Sequence, residues 1–273
     1  DQRDFFICSM QRGEKYIPLI QKIFTKKGLP SDLAYMALVE SGFNPRAISR
    51  AGAKGIWQLM KGTARHYNLK VTRYRDERYD PIKSTIAASE YLMDLMMIFG
   101  SKSFLLGMAA YNAGEGKIMR ALQKFDDFNK RSFWELVKHG YLKKETNEFV
   151  PQIIAAIILA KHPEYFGIRE FKPLPEEKYD TVVLKYPVSI GLVCKLCDVP
   201  PSEIFELNPD LKKVASITPD IPEYRLNIPS GYKNILEENL KKLERGKKDI
   251  TLFPEDKSRF VAYKVKRGNT LPN

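Results

Sequence analysis

Residues 31–58 read SDLAYMALVESGFNPRAISRAGAKGIWQ. Leu33, Tyr35, Met36, Ala37, Leu38 and Val39 are apolar nearly all round a helix, the pattern of a helix enclosed by others. Ser31 is suited to cap its start, and the run closes on a carboxylate, Glu40. A loop rich in Gly, Ser and Pro follows, and a second helix, predicted over 56–67, opens with Trp57 and Gln58. A carboxylate at the end of such a run leaves water. Desolvation disfavours its charged form and raises its pKa, as a general acid working near neutral pH requires. Taken alone, Glu40 also reads as a last-turn residue of a core helix, turned outward to solvent.

The flanking sequence is helical on both sides. Periodicity predicts helices over 9–28, 81–99, 102–111, 115–124 and 151–161. Asp80-Pro81 opens the second of these, and the third delivers Tyr111-Asn112-Ala113-Gly114. The pair Met96-Met97 reads as core filler. No strand-like run occurs before about residue 180, so the expected class is mainly α, with an all-α domain over 1–170. A Pro-rich joint, FKPLPEE at 171–177, then changes the texture. Residues 179–186 alternate like a strand, 190–197 and 201–207 are short helices, and 224–229 is a second strand, a small α+β unit over 178–231. Residues 232–262 read as a charged helix, to 248, and a linker; 263–273 begin another strand.

At 273 residues the chain holds one or two domains, and 44% hydrophobic with 29% charged residues is a globular composition. No run approaches the ~20 apolar residues that span a bilayer. The opening DQRDFFICSM has neither an initiator Met nor a signal-type apolar run, so any export signal is expected upstream. The net charge of +12 suits polyanionic partners. The basic residues are dispersed and no nucleic-acid motif appears, so nucleic acid is not the expected partner. Cys8, Cys194 and Cys197 are the cysteines. A lone C-x-x-C lacks the second pair of a zinc site, so no metal is expected. Packing cysteines on a short helix is the plain reading, with redox chemistry the alternative.

Three motifs follow one another: ESGFNP at 40–45, AISRAGAKGIWQLM at 47–60 and AAYNAGEGKI at 109–118. In this order they resemble the catalytic domain of the lytic transglycosylases, lysozyme-like enzymes that cleave peptidoglycan strands. The GIWQ form with a wall-binding tail is most similar to the membrane-bound D-type subgroup. The resemblance implies a lysozyme-like fold over 1–170 with Glu40 as the single acid/base. It implies cleavage of the β-1,4 bond between N-acetylmuramic acid and N-acetylglucosamine, the muramoyl C6 hydroxyl acting as nucleophile and a 1,6-anhydro sugar as product. Gln58 and Met60 then stand where the family lines its sugar subsites, and Tyr111 and Asn112 match the Tyr-Asn of its turn, with the Tyr111 hydroxyl expected near the carboxylate. Ser41 and Ser49 become candidate hydrogen-bonding helpers; cap and turn roles are their plain reading, as core packing is for Met60. Glu145 matches the acid of the fourth motif, usually E-T-x-x-Tyr-V, but Phe149 replaces the Tyr. Glu115 reads as solvated and Asp80 as a cap.

The segments EIFELNP and LNIPSG resemble those of a LysM module over 178–231, a kind that binds N-acetylglucosamine-containing chains, although the usual G-D-T-L opening is missing. Residues 263–273 resemble the truncated start of a second such module, with Asn269 where Asp is usual. The family implies peptidoglycan glycan strands as partner, the periplasm or cell envelope as location, anchoring through an upstream segment, and neither metal nor organic cofactor. The rival readings are a hydrolase on the same scaffold and a non-catalytic wall-binding protein.

Overall fold

A computed structural model describes residues 2–100, 103–168, 178–212, 218 and 223–245. The Pro-rich joint at 171–177, the linker at 249–261 and the module start at 263–273 lie outside the described residues, as do 246–248. The chain divides into two units, Asp1–Glu176 and Glu177–Asn273.

The first unit is helical. Helices α1 (Gln2–Gly13) and α2 (Ile17–Lys26) precede a 3₁₀ turn, Ser31–Tyr35, that runs directly into α3 (Met36–Ser41). After a long loop come α4 (Lys61–His66), a 3₁₀ turn at Glu77–Tyr79, α5 (Pro81–Phe99), α6 (Phe104–Ala113) and α7 (Glu115–Leu122). Helices α8 (Phe133–Lys138) and α9 (Lys144–Lys161) follow. Ile20, Phe24, Met36, Ala37, Leu92, Leu95, Leu136, Val150 and Ile153 are completely buried in one core. Short α3 lies inside it, packed by α1, α9 and its own 3₁₀ turn, which is why its residues can be apolar on every side.

Four sequence expectations change. The single helix over 9–28 is two, α1 and α2. The helix over 31–41 starts as a 3₁₀ turn without a side-chain cap, so Ser31 does not cap it. The helix over 56–67 shrinks to α4. The last helix begins at Lys144 and carries Pro151 inside it. Asp80 does cap α5, its Oδ1 accepting from the Ile82 and Lys83 N–H groups at 2.9 and 3.0 Å.

The second unit is a two-stranded antiparallel sheet with three helices. Strand β1 (Tyr179–Leu184) pairs with β2 (Tyr224–Pro229) in the register Tyr179↔Pro229 to Leu184↔Tyr224. Helices α10 (Ile190–Cys197) and α11 (Pro201–Leu207) connect them, and α12 (Lys233–Arg245) follows. Ser189 caps α10. The two motif asparagines clamp the unit: buried Asn208 donates to the Ile204 and Asn227 carbonyls at 2.7 Å and accepts from the Asn227 N–H at 2.8 Å. Asn227 returns an amide N–H to the Leu207 carbonyl at 3.0 Å. The charged α12 buries Leu236 and Leu240 and packs on α10 and β1. Cys194 and Cys197 are buried and unbridged. Burial raises both thiols, Cys197 to about 11 with Cys194 and Glu203 adding to it, so they pack as neutral groups rather than as reactive thiolates. No helix among the described residues is long and apolar enough to cross a membrane.

Candidate active site

Helix α3 ends because Gly42 takes the left-handed conformation, φ +59°, and its N–H closes on the Leu38 carbonyl at 2.7 Å. Phe43 follows at φ +56° and is driven into the core, fully buried. Glu40 is left in the last turn, half-buried. Its carboxyl group has no hydrogen-bond or ion-pair partner among the described residues. Burial first, and the nearby Glu145 charge second, push its pKa from 4.5 to about 8. The outward-turned reading of Glu40 does not hold; a carboxyl in this setting carries its proton at neutral pH.

The loop from 47 to 60 is built around backbone pairs rather than a helix. Ser49 donates its backbone N–H to the Ala53 carbonyl at 3.0 Å and accepts on its hydroxyl from the Ala53 N–H, also at 3.0 Å, so Ser49 serves the turn. Lys54 bridges both Ile48 and Leu59. Gly55 sits at φ +80°, where an added Cβ would lie 1.8 Å from the Arg78 carbonyl oxygen; only glycine fits. Arg78 staples this loop: its Nη1 donates to the Gly52 and Leu59 carbonyls at 3.0 and 3.1 Å. Its Nε and Nη2 grip the buried Asp76 carboxylate at 2.9 and 2.8 Å. Burial would raise Asp76, but the Arg78 bonds and charge, helped by Lys54, hold it below the usual carboxylate range.

This scaffold explains why 56–60 is not helical. Gln58 stands at φ +45° and its Nε2 donates to the Gly55 carbonyl at 2.9 Å, which leaves the amide oxygen for a ligand. Trp57 is fully buried, its Nε1 donating to Thr85 Oγ1 at 2.9 Å. Met60 is 46% exposed at the start of α4, so it is not core packing. Ser41 Oγ donates to the Ile56 carbonyl at 2.9 Å, tying the Glu40 turn to the Gln58 turn.

Tyr111, on α6, completes the constellation. Its hydroxyl donates to the Trp57 carbonyl at 2.8 Å rather than to the carboxylate. Burial, then the charge of Glu40, then Tyr91, raise its pKa well above 10.0. The phenol therefore stands within electrostatic reach of Glu40 while bracing the Gln58 turn. Asn112 Oδ1 accepts from Thr146 Oγ1 at 2.8 Å, joining α6 to the first turn of α9, where Glu145 is exposed. Phe149 is buried. Tyr111 and Glu145 are thus within electrostatic reach of Glu40; Gln58 is tied in through the turn that Ser41 and Tyr111 brace, and Asn112 through Thr146 beside Glu145, whereas Ser49 and Met60 have no such tie among the described contacts. Glu115 is exposed and accepts from the Tyr91 hydroxyl at 3.4 Å.

Sequence reasoning missed an aromatic file leading from Tyr111. Its ring lies 5.1 Å from Tyr91, which lies 5.5 Å from Tyr67, which lies 4.8 Å from His66. Burial raises both Tyr67 and Tyr91 far above 10.0. The Tyr pairs are tilted by 36° and 38° and His66 meets Tyr67 edge-on at 83°, a row of aromatic surface near the acid of the kind that suits the apolar faces of sugar rings. Tyr111 was marked by its motif and Tyr91 only as one of the apolar positions of α5; no spacing in the sequence ties these four rings together. Asp76 and Arg78 were equally invisible, reading only as a polar stretch.

Comparison with known proteins gives two domain matches: "Transglycosylase SLT domain" over residues 18–134 and "Lytic transglycosylase MltD, LysM-like domain" over residues 178–245. The chain is 32% identical over 262 residues to membrane-bound lytic murein transglycosylase D of Escherichia coli (strain K12), covering 95% of this chain and 56% of that protein. It is 30% identical over 168 residues to membrane-bound lytic murein transglycosylase C of Haemophilus influenzae (strain PittEE), covering 56% of this chain and 42% of that protein. The chain thus spans about half the length of the curated relatives it matches. Among solved structures, the 70 kDa soluble lytic transglycosylase of Escherichia coli aligns with a TM-score of 0.46 and 25% identity, over 56% of this chain and 25% of that one.

Proposed function

From the premise that residues 18–134 belong to the transglycosylase SLT domain family and residues 178–245 to the LysM-like domains of lytic transglycosylase D, we propose that this chain cleaves peptidoglycan glycan strands without adding water. The bond broken is the β-1,4 link between N-acetylmuramic acid and N-acetylglucosamine. The observation that carries the reading is Glu40: a carboxyl without a described partner, raised to about 8 and set beside Tyr111 and the Gln58 turn.

Protonated Glu40 gives its proton to the glycosidic oxygen as the C1–O bond breaks. The resulting carboxylate takes the proton of the muramoyl C6 hydroxyl, whose oxygen closes on C1. The products are a 1,6-anhydromuramoyl end and a free 4-hydroxyl, and Glu40 is again protonated. Gln58 and Asn112 hold sugar hydroxyls or acetamido groups, Tyr111 fixes the turn that presents Gln58, and Met60 and Ser49 lie along the same loop. The LysM-like unit retains the enzyme on the strand. The setting is the bacterial envelope.

One observation favours a second reading, a lysozyme-type hydrolase: Glu145 is close enough to influence Glu40, and two carboxylates can activate a water. Mass spectrometry of released muropeptides separates the two. Anhydro ends are expected from the wild type and from Glu145→Gln; reducing ends carrying an added water, lost in Glu145→Gln, would establish the hydrolase. Glu40→Gln is expected to bind sacculi and to lose at least about 100-fold in solubilising activity; full activity in that variant would remove Glu40 from its role.

A further inference from the structure

Helix α5 leaves a row of apolar side chains uncovered on its outer side. Ile82, Ile86, Met93 and Met97 follow one another at intervals of four, seven and four residues, which puts them on one face of the helix over about 22 Å. Ile82 and Ile86 are exposed, Met97 is 79% exposed, and Met93 is half-buried. Single exposed hydrophobics are ordinary on any surface; a row of four at the spacing of a helix–helix seam is not. One border of the row, Thr85, Ser89 and Met96, is buried. The other carries the charges of Lys83, Glu90 and Asp94. Lys83 reaches Glu77 at 2.8 Å and Asp80 at 3.6 Å, and Glu90 pairs at 3.0 Å with Lys27, just beyond α2. Asp94 accepts from the Tyr67 hydroxyl at 2.8 Å. Tyr91, the α5 member of the aromatic file, lies on the opposite side of the helix from the row, so the row is no part of the site described above.

We propose that this row is the contact face of a homodimer in which α5 lies antiparallel on α5 of a second copy. A two-fold axis through the middle of the row sets Ile82 beside Met97 of the other copy and Ile86 beside its Met93, so the seam is apolar from end to end. The border charges select this arrangement. The same axis brings both charged borders to one side of the seam, where Lys83 of each copy faces Asp94 of the other. The two Lys27–Glu90 pairs meet at the centre, each glutamate between two lysines. A parallel pairing would put the charged borders on opposite sides and lose both contacts. An anionic lipid surface would meet a border of mixed sign whose lysines are already paired, so charge complementarity favours a second copy. One helix pair buries less than the ~1,600 Å² of a standard interface. The dimer is therefore weak, with a dissociation constant on the order of 10–100 µM.

Sedimentation equilibrium of the full chain, from about 5 µM to about 500 µM, tests this. Wild type is expected to pass from monomer to dimer across that range. Ile86→Glu/Met97→Glu is expected to stay monomeric throughout at an unchanged melting temperature; should it melt lower, Met97→Glu alone, at the most exposed position, reads the same loss. The register has its own test. Lys83→Glu and Asp94→Lys should each self-associate about tenfold more weakly than wild type, since each sets like charges face to face. A mixture of the two should associate like wild type, because each variant supplies the charge the other lacks. A wild type that is monomeric at the highest concentration, a dimer that survives Ile86→Glu/Met97→Glu, or a mixture no tighter than its components would overturn the proposal. So would monomeric wild type binding phosphatidylcholine vesicles in a manner lost in Ile86→Glu/Met97→Glu, which would give the row to a lipid surface instead.

Discussion

A carboxyl group that keeps its proton in the folded chain costs stability once the solution removes that proton. Glu40 has a folded-state pKa near 8 against 4.5 for the free group. The stability it allows is therefore fully present below about 4.5 and is lost as pH rises through 8. Replacing it by Gln removes the penalty, so Glu40→Gln should be more stable than wild type at pH 9 by on the order of a few kcal/mol and about equal at pH 4. Urea midpoints at the two pH values check this; equal midpoints at pH 9 would contradict it. The same ionisation sets activity: turnover should fall as pH passes about 8. In Glu145→Gln, which removes the second cause of the shift, the fall should begin at lower pH, measured as the alkaline limb of kcat/KM. Tyr111 acts differently. Tyr111→Phe leaves the Trp57 carbonyl without its 2.8 Å donor and should cost about 1–3 kcal/mol, read in the thermal midpoint.

Between α3 and α4 the chain has no regular element, and the Arg78–Asp76 pair supplies the order that a helix would have given. Arg78→Met strips two carbonyls of their donor and leaves Asp76 buried beside Lys54 alone. We expect a loss of about 3–5 kcal/mol in urea unfolding, with activity falling alongside as the Gln58 turn loosens; a change below 1 kcal/mol would contradict the staple. Removing Asp76 together with Arg78 should cost less than removing Arg78 singly, since no charge is then stranded. This loop also marks where sequence reading stops. Helices α5, α6, α10 and α11 were legible because their apolar spacing is a local signal, sharpened by Asp80-Pro81 at α5, Ser189 at α10 and Pro201 at α11. The loop was taken for a helix because Ile56, Trp57 and Leu59 look periodic, whereas what bends it is an arginine some twenty residues away and a Gln at positive φ. Glu40 and Tyr111 were legible as motif members, but the bond from Tyr111 to the Trp57 carbonyl, and the Tyr67–Tyr91–Tyr111 file, depend on long-range packing that no local pattern encodes.

Across the whole molecule the excess of 45 basic over 33 acidic residues gives a positive field that favours a wall rich in carboxylates and phosphates. Binding to sacculi should weaken steeply between about 0.05 M and about 0.3 M salt, measured by co-sedimentation; salt-independent binding would assign retention to the LysM-like unit's uncharged contacts. The proposed chemistry turns on a single protonated acid. Its state is read most directly by infrared difference spectroscopy during a pH titration, with the carboxyl C=O band of Glu40 identified by its absence in Glu40→Gln. The band should persist through neutral pH and disappear around pH 8; disappearance near the ordinary 4.5 would mean that Glu40 is ionised when it is needed as an acid.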